Sequence, residues 1–302
     1  MSKYSKKDIQ QEITDQIIDL LDKVSIENYQ PPFGQLSSLG LPTNPITENP
    51  YQGINILSLW LHQQAKGYTS NEWATFKQWD AIDASVKKGE KSSKIIFYKT
   101  LIKSEENSNS EIEELKIPML KVYNVFNANQ IEGYKPEIDE VQIDKVKPLK
   151  TIDLFCKETE AVVKHGGCQA YYDMVNDYIN MPMKTLFQDT SQANATDNYY
   201  ATLLHELTHW TGSKHRLNRF GEQNKNNDIK ENYAFEELVA ELGSAFLCAQ
   251  HNITQIQPEH HAIYIKSWLK SLKENKAYIF KASAQASKAV KYLNDKKPVL
   301  SM

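Results

Sequence analysis

Apolar residues return at Ile9, Ile13, Ile17, Leu20, Leu21 and Val24. Intervals of three and four keep them on one side of a helix, so the pattern predicts an amphipathic helix over residues 3–24. Pro31, Pro32, Gly34, Gly40 and Pro42 then break the period, and residues 29–50 read as irregular chain. A second helix is predicted over 54–66, stopped by Gly67, and a third over 73–86. Apolar-rich runs at 94–102 and 115–126 suit two strands, and the polar, acidic stretch 104–114 between them reads as a solvated excursion. Residues 137–149 alternate charged and apolar positions around Pro136 and Pro148, the pattern of an interdomain linker or an edge strand.

The second half opens with a predicted helix over 151–163 and turns at Gly166 and Gly167. Short strands are expected at 170–174 and 177–181, the latter as an edge that an extended peptide can join. Helical periodicity then fills 198–211, 231–250 and 260–293, with a break near Glu274 and Asn275. No internal repeat is present.

A chain of 302 residues exceeds one typical core and suits two domains. Its 40% hydrophobic and 24% charged residues exclude wholesale disorder. No apolar stretch approaches the ~20 residues needed to span a bilayer, and residues 1–11 are polar, so a cytoplasmic protein without membrane partners is expected. Cys156, Cys168 and Cys248 lack C-x-x-C spacing, which removes a disulfide framework and a thiolate zinc knuckle. The net charge of -3 gives no support for global nucleic-acid binding.

The strongest chemical signal is H-E-x-x-H at His205, Glu206 and His209 inside a helical pattern. Residues four apart share a helix face, so the two imidazoles can meet one divalent ion. Glu206, one position on, stands beside that ion as a general base for water whose pKa the ion lowers. Leu203, Leu204 and Leu207 supply apolar faces that bury the helix, and Gly212 marks its exit. Catalytic zinc takes three protein ligands and keeps one open position. The next helix offers the third: its E-x-x-A-E at Glu237 and Glu241 resembles the second helix of gluzincin metallopeptidases, where the first acid ligates and the second steadies a ligand histidine. Glu236 competes for the ligand position, about 100° around the helix, but only Glu237 leaves Glu241 on the same face. One Zn2+ per chain is expected, with Mn2+ or another divalent ion able to replace it. The chemistry is metal-assisted hydrolysis of a carbonyl compound, a peptide bond first, on an unidentified protein or peptide. Tyr233, His215 and His165 are candidate oxyanion donors.

Charge changes the picture locally. Between Trp60 and Lys103, eight lysines face four acids, a balance of +4, and three of the five tryptophans lie there. Lysines among aromatic residues are what a sequence-tolerant single-strand binder uses, which makes Lys77, Lys87, Lys88, Lys91, Lys94, Trp73 and Trp79 candidates for nucleic-acid contact. Gly89, in the Val86–Lys91 turn, brings backbone N–H groups close to whatever the lysines attract.

Both halves share motifs with one family. Asn49-Pro50-Tyr51-Gln52-Gly53-Ile54-Asn55, Trp73-Ala74-Thr75-Phe76-Lys77-Gln78, Val86-Lys87-Lys88-Gly89-Glu90-Lys91 and Tyr123-Asn124-Val125-Phe126-Asn127 resemble the N-terminal domain of ArdC-type antirestriction proteins. Leu204-His205-Glu206-Leu207-Thr208-His209-Trp210-Thr211-Gly212, His215-Arg216-Leu217-Asn218-Arg219 and Ala234-Phe235-Glu236-Glu237-Leu238-Val239-Ala240-Glu241 resemble its C-terminal domain, in the family's order. The resemblance implies an α+β chain: a small single-stranded-DNA-binding domain over 1–136, a linker over 137–150, and a mostly helical zincin-like domain with a small sheet over 151–302. It implies a plasmid or other mobile-element protein that protects DNA entering by conjugation from host restriction. The N-terminal half contains no arginine, so phosphate contacts rest on lysine point charges and binding should be salt-sensitive. Two readings of function stay open: a zinc peptidase brought to DNA, or a strand-coating protein whose metal site is structural or idle. A sequence-specific regulator lacks any helix-turn-helix signal.

Overall fold

The computed structural model describes residues 8–22, 40–106, 112–135, 146–167, 169–187, 189, 193–223, 229–254 and 264–296. The chain divides into two compact units, one within Pro42–Tyr51 and Asn55–Ile138, the other within Met1–Leu41, Gln52–Ile54 and Asp139–Met302.

The hairpin unit begins with a two-residue ladder, β1 (Thr43–Asn44) against β2 (Asn49–Pro50), in the stretch expected to be irregular. Asn44 closes the turn by accepting from the backbone N–H groups of Ile46 and Thr47. Helix α2 (Ile54–Lys66) ends as predicted at Gly67, whose φ of 65° a side chain would strain. The helix predicted over 73–86 is absent. Trp73–Thr75 instead form β3, pairing with the end of a long strand, and only Phe76–Asp80 are helical (α3) before β4 (Ser85–Val86). Thr75 explains the switch: it forms a capping box with Gln78, so the helix starts there and the residues before it are free to pair. Asp83, at φ 58°, then turns the chain away.

Strands β5 (Ser93–Glu106) and β6 (Ile112–Asn127) form the expected antiparallel pair, and the polar excursion is shorter than predicted because Ser104–Glu106 continue the ladder. The sheet order is β3-β6-β5, while β7 (Ile131–Glu132) pairs with β4. Ala74, Trp79, Ala84, Ala128 and Ile131 make a small core. The free edge of β5 is closed at Ile96, whose N–H and C=O both bond the side chain of Asn55 on α2, each at 2.9 Å.

The helical unit includes α1 (Ile9–Asp22), the core of the first predicted helix; residues 3–7, 23 and 24 lie outside the described residues. Domain expectations placed α1 with the N-terminal half, but it packs on α8 (Ile265–Glu274). Thr14 donates to the Lys276 carbonyl at 3.1 Å, Asp8 pairs with Lys276, and the apolar stripe Ile13, Ile17 and Leu21 is buried. An amphipathic stripe specifies burial but not the partner that covers it.

Helix α4 (Val146–Glu158) starts inside the expected linker and stops earlier than predicted; Glu160 takes φ 63°, and Val162–His165 form β8. With β9 (Tyr171–Asp173) and β10 (Tyr178–Met181) this makes a three-stranded sheet ordered β8-β10-β9. β10 is therefore central, parallel to β8 and antiparallel to β9, and cannot be the open edge expected of it. Helices α5 (Ala195–Trp210), α6 (Arg219–Gln223), α7 (Ile229–Gln250), α8 and α9 (Ala277–Asn294) complete the unit, with the predicted break at Asn275. The core joins Ile152 and Phe155 of α4, Ile179 and Met181 of β10, Leu203, Leu204 and Leu207 of α5, and Leu247 of α7. It fixes α5 on three sides.

Candidate functional site

Helix α5 starts where Asn194 accepts from the Asp197 N–H, and its apolar residues on several sides bury most of its length. His205 and His209, four apart, turn their Nε2 atoms toward one point, 3.1 Å from each other. Helix α7 crosses close by because Gly243 has no side chain: a Cβ there would lie 2.5 Å from Cγ2 of Thr208. The Ser244 hydroxyl donates across the same crossing to the Ala201 carbonyl at 3.1 Å.

The crossing carries Glu237 to the histidines. Its Oε2 stands 3.6 Å from Nε2 of His205 and its Oε1 3.6 Å from Nε2 of His209. The three ligand-type atoms lie within 4.8 Å of one another. Two imidazole nitrogens and a carboxylate, converging on one buried point from two packed helices, fit a divalent cation better than an ordinary hydrogen-bonded core. Glu206 is buried beside them on α5.

Glu236, the competitor in sequence, faces the other way. Its Oε1 is 3.4 Å from Nδ1 of His209, on the far side of the ring, and buried Arg219 grips it through Nε at 3.1 Å and Nη2 at 2.6 Å. Arg219 also donates to the Thr211 hydroxyl and the Thr208 carbonyl, both at 2.7 Å, tying the carboxylate to the end of α5. Burial would raise the Glu236 carboxyl, but Arg219 and His209 hold it below its ordinary value. Burial would likewise lower the His209 imidazole, yet Glu237, Glu236 and Glu206 push it up to about 9. Glu241 lies one turn beyond Glu237 on α7, buried.

The role of Arg219 is not visible in the amino-acid sequence, because it depends on a contact across 17 positions. Of the candidate oxyanion donors, Tyr233 lies beside Glu237; the side chain is 56% exposed, and partial desolvation of its hydroxyl together with that carboxylate raises its pKa. Nε2 of His165 is instead engaged by the Tyr199 hydroxyl at 2.9 Å, and His215 is exposed.

Residues 7–126 match the family of N-terminal domains of the anti-restriction factor ArdC, and residues 150–285 match a zincin-like metallopeptidase family. The metal-free crystal structure of the antirestriction protein ArdC from plasmid R388 superposes with a TM-score of 0.76 at 35% identity, covering 96% of this chain and 97% of that one. The chain belongs to the ArdC antirestriction family. The Mn(II)-bound form of the R388 protein gives a TM-score of 0.75 at 33% identity over 97% of this chain and all of that one, in keeping with a divalent-metal site in the family. The protein y4eC of Sinorhizobium fredii is 33% identical over 95% of this chain and 92% of its own length. The DNA primase TraC of Escherichia coli is 34% identical over 94% of this chain, which spans only 27% of that longer protein.

The family's N-terminal half carries the other candidates. Lys77, Lys87, Lys88 and Lys91 are exposed and Lys94 is half-buried; Nζ of Lys87 donates to the Asn129 carbonyl at 2.9 Å. Trp73 and Trp79 correct the expectation of base stacking, for both are 0% exposed. Trp79 packs on Tyr134 and donates its indole N–H to the Phe126 carbonyl, while Trp73 packs edge-on against Tyr68. Neither ring has a face left for a base.

Proposed function

We propose that this protein is the antirestriction factor of a mobile element, that it binds single-stranded DNA through its hairpin unit, and that its helical unit holds a zinc-dependent peptidase-type site. The observation that carries the reading is the convergence of His205, His209 and Glu237 beside Glu206, in a chain of the ArdC family. His205 and His209 would hold the ion by Nε2 and Glu237 by its carboxylate. The ion supplies Lewis acidity toward a carbonyl group and toward water. Glu206 accepts the proton released as water adds and returns it to the leaving group. Glu236, held by Arg219, keeps the His209 ring turned toward the ion, and Glu241, buried one turn beyond Glu237, is the carboxylate we assign to steadying a ligand histidine. The Tyr233 hydroxyl, beside Glu237, is the group best placed to donate to the oxyanion. Among the described residues no helix is long and apolar enough to cross a membrane, and we place the action in the cytoplasm, on DNA entering the cell.

Glu206→Gln tests the reading, because it keeps the side chain's shape and removes the base. The variant should retain one zinc per chain by elemental analysis and lose at least ~100-fold of its protection of conjugated DNA against restriction. Full protection with zinc retained would show instead that strand coating suffices and the metal site is idle.

A further inference from the structure

With Trp73 and Trp79 buried, a nucleic-acid reading of the hairpin unit needs other rings, and the β5–β6 ladder supplies them. Cross-strand partners in an antiparallel pair share a face, so Ile95 and Tyr123 lie on the same side as Phe97 and Lys121. Along that side burial gives way to exposure: Val125 and Ile95 are buried, whereas Tyr123 is 42% and Phe97 50% exposed. The two exposed rings meet edge to face, with centroids 5.5 Å apart and planes at 89°. Lys121, directly across from Phe97, is exposed as well. Single exposed hydrophobic residues are unremarkable on any protein. Two rings locked together on a rigid ladder with a cation beside them form a surface that water solvates poorly.

The chemistry around this surface selects its occupant. An added peptide strand would need free main-chain groups on the β5 edge, and at Ile96 both are taken by Asn55. The connection leading into β5 carries exposed Lys88 and Lys91, and six residues of extended chain, roughly 20 Å, separate Lys91 from Phe97. Cations followed by stacked rings suit a chain of alternating phosphates and flat bases. We propose that Phe97 and Tyr123, with Lys121, are the platform on which bases of single-stranded nucleic acid stack. This rests on the DNA-binding reading above and assigns it to residues outside the tryptophans and the lysine turn.

Fluorescence anisotropy with a labelled oligothymidylate at two salt concentrations tests it on the full-length protein. Phe97→Ala/Tyr123→Ala should bind about 10- to 100-fold more weakly with an unchanged salt slope, and Lys121→Ala should lower that slope by about one. Phe97→Leu/Tyr123→Leu keeps the apolar area and should show the same loss, which separates stacking from folding. Phe97→Trp should bind as wild type and have its emission quenched by the oligonucleotide, since the five native tryptophans are all buried. If wild type binds and the double variants bind equally well, the platform is wrong while DNA binding stands. If wild type binds no single strand, the DNA reading itself fails. Equal binding with altered sedimentation of the double variants would assign the face to a second copy of the chain and overturn the proposal.

Discussion

In the helical unit His205, Glu206, Arg219, Glu236, Glu237 and Glu241 are all buried, whereas the polar groups buried in the hairpin unit, among the described residues, are neutral: Asn55, Ser58, Gln63, Ser70, Ser93, Asn127 and Gln130. The neutral set has visible structural employment. Asn55 closes the β5 edge, Asn127 donates to the Ser70 carbonyl at 2.7 Å, and Gln130 donates to the Lys91 carbonyl at 3.0 Å, holding the lysine turn to the body of the unit. Buried amides satisfied in this way cost little, but buried charges are expensive unless they neutralise one another or an ion. The helical unit therefore carries its chemistry inside, where the energetic anomaly marks it. The contacts proposed for the hairpin unit lie on its surface, where exposed lysines are ordinary and mark nothing by themselves.

The sharpest way to break this comparison is Trp79→Ala. If Trp79 is core, the substitution destabilises the hairpin unit by about 3–5 kcal/mol in chemical denaturation, and whatever protein remains folded binds oligonucleotide as wild type does. A variant of unchanged stability that has lost single-strand affinity would return Trp79 to the surface and remove the contrast between the units.

That pair of outcomes also locates what the amino-acid sequence could and could not disclose. His205, Glu206 and His209 were legible because helix geometry converts a spacing of four into a shared face without help from the rest of the fold. Glu237 was legible through the E-x-x-A-E pattern that puts Glu241 on its face, and Glu236 turns instead to Arg219 and Nδ1 of His209. Trp73 and Trp79 misled because composition counts rings without saying which side of a sheet they occupy. That side depends on β3 pairing with β6, and the pairing in turn depends on Thr75 capping α3. Strand β8 escaped because Val162–His165 follow a helical pattern, and the parallel partner that makes them a strand lies 16 residues on.

Arg219→Ala should have the next largest effect, and it sharpens the helical side of the comparison. It leaves the Glu236 carboxylate buried without its guanidinium, which costs about 3 kcal/mol of stability. It also frees His209 to rotate, so metal affinity, measured by competition with a chromophoric chelator, should fall about 10- to 100-fold. Arg219→Lys should not restore it, because a single ammonium cannot reach both carboxylate oxygens, Thr211 and the Thr208 carbonyl together. Unchanged affinity in the alanine variant would mean that the His209 ring is held by packing alone.

Gly243→Ala tests the geometry that brings the two helices together. Alanine gains up to about 1 kcal/mol of helix propensity over glycine in the middle of α7. Against that, its Cβ would sit 2.5 Å from Cγ2 and 2.8 Å from Oγ1 of Thr208, atoms of a buried β-branched side chain that cannot swing aside. Overpacking of this kind costs about 1–3 kcal/mol, so the strain wins and α7 moves away from α5. Glu237 rides on α7 and the two histidines on α5, so the shift widens the ligand set and metal affinity drops along with stability. Thr208→Ser removes the clashing methyl and keeps the hydroxyl that donates to the Leu204 carbonyl. A double-mutant cycle between the two positions should therefore show the serine recovering part of what the alanine loses, the contact with the retained hydroxyl remaining, in thermal midpoint and chelator competition alike. If the losses simply add, the close approach at Gly243 does not set the distance from Glu237 to the imidazoles, and the placement of that carboxylate must come from the capped end of α5 instead.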